Sequence, residues 1–370
     1  MEERTLYLLA LALTKGLGPV SVKNLIAYCG SARAVFDAPR GKLLRAPGIG
    51  EQAVRLVKEA QHLDRATREL QYCQKQGVRI LTYLDDDYPH ALKYIYDTPL
   101  ILFQKGGADL NAQPNIAIVG TRQVTDYGRE QTERFATYFA ERGINVVSGL
   151  AYGVDIAAHR AVLRVGGITT AVLGHGLDTI YPGRHAAKAA EMLDRGCLLT
   201  EYLTGTQPDA PHFPARNRII SGICKAVLVV EAADSGGALI TARKAFDQDR
   251  QVYALPGRIG DKYSTGCLDL IRQDIARLVV DPAQMLDDLQ IRWQQHDDQS
   301  EQLTLALGAP PQALSKEEAL VLNHLARNEA IIDDIALATG IPISRLNSLM
   351  LGMEFKELVR QMPGKKYRKV

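Results

Sequence analysis

The chain has 370 residues, of which 46 % are hydrophobic and 23 % are charged, and its formal net charge is +2. This length predicts two or three domains, and the ordinary composition excludes a disordered or fibrous chain. A net charge so close to zero excludes nucleic-acid binding through overall basicity, so any site for a polyanion must be a local patch.

The cysteines and the N-terminus indicate the compartment. The five cysteines are an odd number and form no C-x-x-C motif, which is typical of buried free thiols under reducing conditions. The chain begins with acidic residues where a signal peptide needs basic ones, and no apolar run reaches about 18 residues. We therefore expect a cytoplasmic protein without a membrane partner.

Residues 1–76 are predicted to form a helical domain. The apolar spacing of Leu6 and Leu9 is helical, and two G-x-G turns interrupt the helices at Gly16–Gly18 and Gly48–Gly50. Each turn has the form of a helix-hairpin-helix (SAM-like) motif. Two interpretations stay open: the turns point backbone N–H groups at DNA phosphates, or they are the turns of a helical docking domain.

Residues 77–286 are predicted to form an extended Rossmann-like domain. The segments 77–84 and 100–103 look like two strands around a turn. Short apolar runs then alternate with helical stretches, which predicts a parallel sheet covered on both faces by helices. The seven candidate strands are Ile116–Val119, Asn145–Ser148, Ile168–Leu173, Cys197–Thr200, Ala226–Glu231, Gln251–Ala254 and Arg277–Val280.

The last part of the chain is predicted to be a linker followed by a small domain. Residues 287–315 are polar and rich in glutamine, which is typical of a linker. Residues 316–370 read as three short helices and a β wing, so they predict a winged helix. Duplex-DNA binding by this end is one interpretation, and a docking module or a solvated tail is favoured over it. Its basic residues are Lys356, Arg360, Lys365, Lys366, Arg368 and Lys369.

Glycine-bearing loops follow five of the candidate strands and predict a phosphate site. Ligands of doubly wound sheets bind at the carboxyl ends of the strands. Glycines let backbone N–H groups approach an anion, and the start of the next helix adds a favourable dipole. Arg122 and the run Arg216-Asn217-Arg218 supply cations suited to phosphate. The five loops contain Gly120, Gly149, Gly174, Gly236 and Gly257.

The motifs of other ligands are missing from the sequence. It contains no Walker-type phosphate loop, no zinc spacing and no nucleophile elbow. Gly48-Ile-Gly50 approaches a dinucleotide fingerprint but lies between two helices. His159 lies one helical turn after Asp155, which can hold it, and a structural role is favoured for this pair. We therefore expect no cofactor, no metal and no catalytic residue.

The strand-end motifs together resemble the DNA processing protein A (DprA/Smf) family. They occur in the family's order across the whole central domain, and the flanking helical and winged-helix domains match a layout found in that family. The matching segments are Ile118–Arg122, Ser148–His159, Gly174–Asp178, Tyr181-Pro182, Phe213–Gly222, Val230-Glu231, Asp234–Arg243 and Leu255–Gly257.

This resemblance implies a non-enzymatic mediator. Such proteins bind and protect incoming single-stranded DNA, form homodimers and load the RecA recombinase during natural transformation and recombination. Arg122 corresponds to an arginine that grips a DNA phosphate. The residues that the resemblance and the strand-end loops together assign to DNA binding are Gly120, Arg122, Ser148, Gly149, Gly174, Arg216, Asn217, Arg218, Ser235, Gly236, Thr241 and Lys244.

Two positions depart from the family pattern, and one alternative function stays open. Leu268 stands where asparagine is usual, and Asp274 stands where glycine is common. The alternative is a Rossmann-like enzyme that hydrolyses nucleoside monophosphates. Such an enzyme needs a carboxylate near the phosphate loops, for which Glu231 and Glu201 are the candidates.

Overall fold

The computed structural model describes residues 2–59, 62–291, 315–326, 329–356, 358–362 and 366–369. The chain divides into two compact units, Met1–His296 and Asp297–Val370. Most of the predicted linker, residues 292–314, lies outside the described residues.

The described residues up to Gln76 form six helices joined by short turns, as the periodicity predicts. Pro19 stands in the first turn of the second helix, where its missing N–H costs nothing. The Ser31 hydroxyl accepts a hydrogen bond from the Ala34 N–H (3.1 Å) and caps the third helix. The helices are α1 (Glu2–Ala12), α2 (Pro19–Cys29), α3 (Ala32–Asp37), α4 (Arg40–Leu43), α5 (Glu51–Glu59) and α6 (Leu63–Gln76).

The two G-x-G turns lie side by side in this helical region. A Cβ placed on Gly16 would lie 3.2 Å from Leu56 of α5, and one placed on Gly48 would lie 3.5 Å from Asn24 of α2. The Asn24 amide also donates to the Pro47 carbonyl (3.2 Å). The turn at Gly16 therefore packs against α5, and the turn at Gly48 packs against α2.

Nine strands of the first unit form one sheet within the described residues. Its order is β1-β2-β6-β5-β4-β3-β7-β8-β9; β1 and β2 are antiparallel to their neighbours, and all the other pairs are parallel. The strands are β1 (Arg79–Thr82), β2 (Ile101–Lys105), β3 (Asn115–Val119), β4 (Asn145–Ser148), β5 (Thr169–Val172), β6 (Cys197–Thr200), β7 (Ala226–Val229), β8 (Gln251–Ala254) and β9 (Arg277–Leu278).

Helices cover both faces of the sheet, because the buried strands are apolar on both sides. Ala117 and Val119 of β3 pack into one core, whereas Ile116 and Ile118 pack into another on the opposite face. The remaining helices of the unit are α7 (Asp126–Ala140), α8 (Val154–Arg164), α9 (Ala186–Met192), α10 (His212–Ile223), α11 (Gly237–Asp247), α12 (Thr265–Arg272) and α13 (Pro282–Asp288).

The N-terminal helices share a core with the antiparallel side of the sheet. Leu8 and Leu25 belong to the same buried cluster as Phe103 of β2 and Leu198 of β6. Their burial removes apolar surface from water, which contributes about 1.5–3 kcal/mol for each large side chain. The helical region therefore packs directly on the sheet, and a domain boundary at residue 76 stays a prediction.

The order of the strands reverses between β3 and β7. From β3 the chain adds β4, β5 and β6 on one side, and it then returns to add β7, β8 and β9 on the other. The loops that follow β3 and β7 consequently diverge to opposite faces. This divergence opens a crevice at the carboxyl edge of the sheet, where ligands of doubly wound folds bind.

The second unit has the three helices and the β wing of a winged helix. Ser315 and Glu318 form a capping box at its start, and Lys356 donates to the Glu318 carboxylate (2.7 Å). The wing strands pair antiparallel in the order β10-β12-β11. The elements are α14 (Lys316–Leu325), β10 (Ala330–Ile331), α15 (Ile332–Thr339), α16 (Ile343–Phe355), β11 (Val359–Met362) and β12 (Lys366–Lys369).

The prediction of a Rossmann-like α/β fold with a helical N-terminus and a C-terminal winged helix is therefore confirmed. Of the six basic residues noted near the wing, Lys356 is paired with Glu318, and Lys365 lies outside the described residues. The other four are exposed. None of the helices that the structure describes is long and apolar enough to cross a membrane.

Candidate functional site

A cavity of about 670 Å³ opens at the crevice between β3 and β7. Its volume falls within the range of about 300–1,000 Å³ that is usual for ligand pockets. The loops after β3 and β7, the first half of α10 and the start of α11 supply most of its wall. Lining residues from these elements include Gly120, Thr121, Arg122, Phe213, Arg216, Asn217, Ser235, Gly236 and Thr241.

Close backbone packing holds the loop that carries Arg122. The Thr121 N–H donates to the Glu231 carbonyl (2.8 Å), and the Val154 N–H donates to the Thr121 carbonyl (3.2 Å). A Cβ on Gly120 would lie 2.4 Å from the Val154 side chain. Gly153 has φ +77°, and a Cβ there would lie 2.1 Å from the Thr121 oxygen. Both glycines are therefore required for the position of the Arg122 loop.

The Arg122 side chain is exposed at the cavity and lies over an aromatic ring. Its guanidinium carbon is 5.7 Å from the centroid of the Phe213 ring, within the range of a cation–π contact. In the part of the chain that the structure describes, no carboxylate pairs with it. Arg122 therefore places a cation without a carboxylate partner at the cavity, where an anionic ligand can reach it.

The start of α11 forms the opposite wall. No side chain caps this helix at Gly236, in contrast to α3 and α7. The Asn217 amide donates to the Gly237 carbonyl (3.2 Å), and the Thr241 hydroxyl donates to the same oxygen (3.0 Å). These bonds fix the first turn while its N–H groups face the cavity end of the helix. The helix dipole favours an anion there.

Arg216 is a second arginine of the cavity, but it is buried. Its guanidinium donates to the carbonyls of Gly149 (3.0 Å) and Val172 and to the Asn217 amide oxygen (3.1 Å). Burial lowers the pKa of Arg216 to about 10, with Asp155 opposing the shift and Arg122 adding to it. The side chain therefore stays protonated at neutral pH and braces the loop after β4.

Asp155 completes this brace from the start of α8. Its carboxylate accepts hydrogen bonds from the N–H groups of Gly149 (3.1 Å) and Ala151 (3.3 Å). Burial raises the pKa of Asp155, and the nearby Arg216 opposes that shift. The expectation that Asp155 holds His159 is not met: His159 Nδ1 instead lies 2.7 Å from the Thr169 hydroxyl. The interpretation of His159 as a buried structural residue agrees with this contact.

The structure brings seven of the twelve predicted site residues into the cavity wall: Gly120, Arg122, Arg216, Asn217, Ser235, Gly236 and Thr241. Ser148 is buried and donates to the Ile118 carbonyl (2.6 Å). Gly149 is buried as a contact of Arg216, and the Phe213 ring covers Gly174. Lys244 lies half-buried on α11 and does not line the cavity.

Arg218 faces away from the cavity and is fully engaged. Its guanidinium donates to both Glu201 oxygens (2.8 and 2.6 Å) and lies 3.0 Å from Asp97. The side chain is 10 % exposed. Because both sides of the fork are paired, the geometry indicates that Arg218 joins α10 to the neighbouring loops.

The carboxylates considered for a hydrolase are also engaged. Glu231 accepts hydrogen bonds from the Thr125 N–H (3.0 Å) and hydroxyl, and Glu201 is held by Arg218. Neither glutamate lines the cavity. Among the described residues, no group of three or more His, Cys, Asp or Glu side chains is arranged to hold a metal ion.

Two aromatic residues of the cavity were not predicted as site residues. Tyr181 is 44 % exposed, and its ring centroid is 6.0 Å from that of Phe213. Both residues stand in motifs quoted for the family resemblance, but loops far apart in sequence bring them together. Only the packing of the loop after β5 against the start of α10 reveals this aromatic surface.

The two departures from the family pattern have structural explanations. Asp274 has φ +55°, a conformation that favours glycine, so glycine is the unstrained residue at this position. Leu268 lies half-buried in the first turns of α12, outside the cavity lining. The missing asparagine amide therefore removes no group from the cavity wall.

Comparison with known proteins agrees with this architecture. The family model described as DNA recombination-mediator protein A matches residues 79–290, and a DprA winged helix model matches residues 306–365. Protein Smf of Synechocystis sp. is 32 % identical over 391 residues, which cover 98 % of each chain.

The solved structures that are similar to this chain include two DNA processing proteins. DNA processing protein A from Streptococcus pneumoniae has 34 % identity and a TM-score of 0.67, covering 77 % of this chain and 98 % of that one. DNA processing protein A from Helicobacter pylori has 27 % identity and a TM-score of 0.53, covering 59 % of this chain and 97 % of that one. The fold, the order of the motifs and these matches lead to one conclusion: the chain belongs to the DNA recombination-mediator protein A (DprA/Smf) family.

Proposed function

We propose that this protein binds single-stranded DNA in the cavity between β3 and β7. One observation carries the proposal: the exposed Arg122 guanidinium and the uncapped start of α11 border the same cavity. A phosphate between them receives charge-assisted hydrogen bonds from the arginine and a favourable helix dipole. The resemblance implies the same role for Arg122.

The aromatic residues of the cavity support a nucleic-acid strand over a free phosphate. Phe213 and the exposed Tyr181 offer flat apolar surfaces beside the phosphate position. Unpaired bases stack on such rings, at about 1–3 kcal/mol per base, and every base has a face that can stack. A paired duplex hides these faces, so the arrangement favours a single strand without strong sequence preference.

The relatives support the same ligand. The Helicobacter pylori relative is described as having a unique single-stranded DNA binding mode. The matching family model carries the description of a recombination mediator. We therefore extend the proposal to the biological role: the protein acts in the cytoplasm as a homodimer, protects incoming single strands and loads the RecA recombinase onto them. It acts without catalysing a reaction.

Equilibrium binding of a fluorescently labelled oligothymidylate tests the DNA site. Arg122→Ala removes one phosphate contact, so we expect affinity to fall about 10-fold to 100-fold, and the salt dependence to fall by about 0.7 in log–log slope. The matched control is Arg164→Ala, which removes an exposed arginine at the end of α8, at the opposite edge of the sheet. If the Arg122→Ala variant binds the oligomer as tightly as the wild type does, the assignment of the DNA site to this cavity is refuted.

Recombinase loading needs its own experiment. Filament formation by RecA on single strands is followed with and without the protein. We expect the wild type to accelerate nucleation of the filament and Arg122→Ala to lose that effect. If the wild type leaves nucleation unchanged, the loading role is refuted even though DNA binding stands.

A further inference from the structure

The loop after β8, residues 256–264, is bonded to the cavity wall without lining the cavity, and we call it the rim loop. Its far end is attached to the cavity wall, because the Ala232 N–H donates to the Tyr263 carbonyl (2.8 Å). The Tyr263 hydroxyl donates to the side chain of Gln123, the neighbour of Arg122. At its near end, the Tyr127 hydroxyl donates to the Pro256 carbonyl (3.0 Å). Both ends are therefore fixed beside the Arg122 loop.

The tip of the rim loop is exposed and carries two cations around an apolar side chain. Ile259 is 95 % exposed, and Arg258 and Lys262 are exposed on either side of it. Within the described residues, neither cation has a carboxylate partner. The Lys262 ammonium lies 5.3 Å from the centroid of the Tyr263 ring. The loop also contains one acidic residue, Asp261, so its net charge is +1.

The combination of these features points to a ligand. A single exposed isoleucine on a surface is ordinary and needs no explanation. Here, however, the isoleucine lies between two cations without carboxylate partners. Its loop is bonded at the far end to Ala232 of the cavity wall and at the near end to Tyr127 of α7. Proteins that contact nucleic acids use this pairing, since cations neutralise phosphates while apolar side chains pack against bases.

We infer that the rim loop is a second contact for the same DNA strand and binds the nucleotides next to the one in the cavity. Arg258 and Lys262 neutralise the backbone phosphates of these nucleotides, and Ile259 packs against an unstacked base. The inference rests on the proposed function and deepens it, because it gives the strand a path from the cavity across the β3-β7-β8 edge of the sheet. It also predicts that affinity depends on the length of the strand.

Oligothymidylates of two lengths test this inference. Lengths of about 4 and about 16 nucleotides bracket the usual range of single-strand binding sites. We expect the double variant Arg258→Ala/Lys262→Ala to bind the short oligomer as the wild type does. It should bind the long oligomer at least 10-fold more weakly, with a log–log salt slope reduced by about 1.4 for two lost phosphates.

Ile259→Ala separates the apolar contact from the charges. This variant should lose several-fold in affinity for the long oligomer while its salt slope stays that of the wild type, because no charge is removed. Arg164→Ala and Val165→Ala are the matched controls, since they form an exposed basic–apolar pair at the opposite edge of the sheet. Both controls should bind as the wild type does.

The outcomes distinguish the inference from the proposed function. If the wild type binds single strands and the rim-loop variants bind the short and the long oligomer as tightly as the wild type does, the inference is overturned and the cavity site stands. Equal loss of the short and the long oligomer also overturns it, because the loop then acts on the cavity itself. If the wild type binds neither length, the proposed function fails and the inference fails with it.

Discussion

Arg218→Ala separates a residue that supports the fold from one that contacts DNA. The wild-type guanidinium holds both oxygens of Glu201, whose side chain is only 19 % exposed. Removing one partner of such a pair leaves the other charge poorly solvated, at a cost of about 3 kcal/mol or somewhat more. The contact with Asp97 adds little, because that carboxylate is 46 % exposed and screened by water. We therefore expect a loss of about 3 kcal/mol in stability.

Thermal unfolding followed by circular dichroism measures this loss. For a domain of this size, about 3 kcal/mol corresponds to a melting temperature lowered by roughly 6–12 °C. Arg272→Ala is the control, since its pair with Asp269 is exposed on both sides and contributes less than about 1 kcal/mol. At a temperature where the Arg218→Ala variant is folded, its affinity for single strands should equal that of the wild type. Lost affinity with unchanged stability would refute the structural role.

Three further predictions concern a buried histidine, a closely packed glycine and the cysteines. Burial lowers the pKa of His159 to about 3, so the unfolded chain binds a proton below pH 6.5 that the native chain does not bind. As the pH drops from about 6 to 4, the free energy of unfolding of the wild type should therefore fall more steeply than that of His159→Gln, by up to about 1.4 kcal/mol per pH unit. Denaturant titrations at several pH values measure both. Equal pH dependence of the two proteins would contradict this prediction. Gly153→Ala forces a Cβ against the Arg122 loop, so both the melting temperature and the affinity for single strands should drop, and unchanged affinity would contradict the placement of that loop. Thiol alkylation of the native protein at neutral pH, read by mass spectrometry, should modify only Cys29. Burial raises the pKa of the other four thiols, so they stay protonated and unreactive: Cys73, Cys197, Cys224 and Cys267. Rapid labelling of any of these four would contradict the fold.

The layered α/β fold could be predicted from the sequence because its strands are short apolar runs between helical stretches. Ile116–Val119 is one such run, and it is buried on both faces at the centre of the sheet. The pairing of β2 with β6 could not be predicted from such a pattern. Nothing local in Ile101–Lys105 indicates which strand it joins, since that choice depends on the N-terminal helices packed against it.

The site was predictable at the level of motifs but not of side-chain directions. Arg216 and Arg218 stand two residues apart in the sequence, which groups them as one basic cluster. On a helix that spacing is a rotation of about 200°, so the two side chains point to opposite faces of α10. One consequently lies at the cavity, whereas the other lies against Glu201. Similarly, Ser148 stands at a strand end but bonds inward to the Ile118 carbonyl.

A structure of this protein bound to a short oligothymidylate would show directly whether the cavity between β3 and β7 holds the strand. We expect a phosphate within hydrogen-bonding distance of both the Arg122 guanidinium and the first N–H groups of α11, with a base against Phe213 or Tyr181. A strand bound elsewhere on the protein, with the cavity between β3 and β7 left empty, would contradict it.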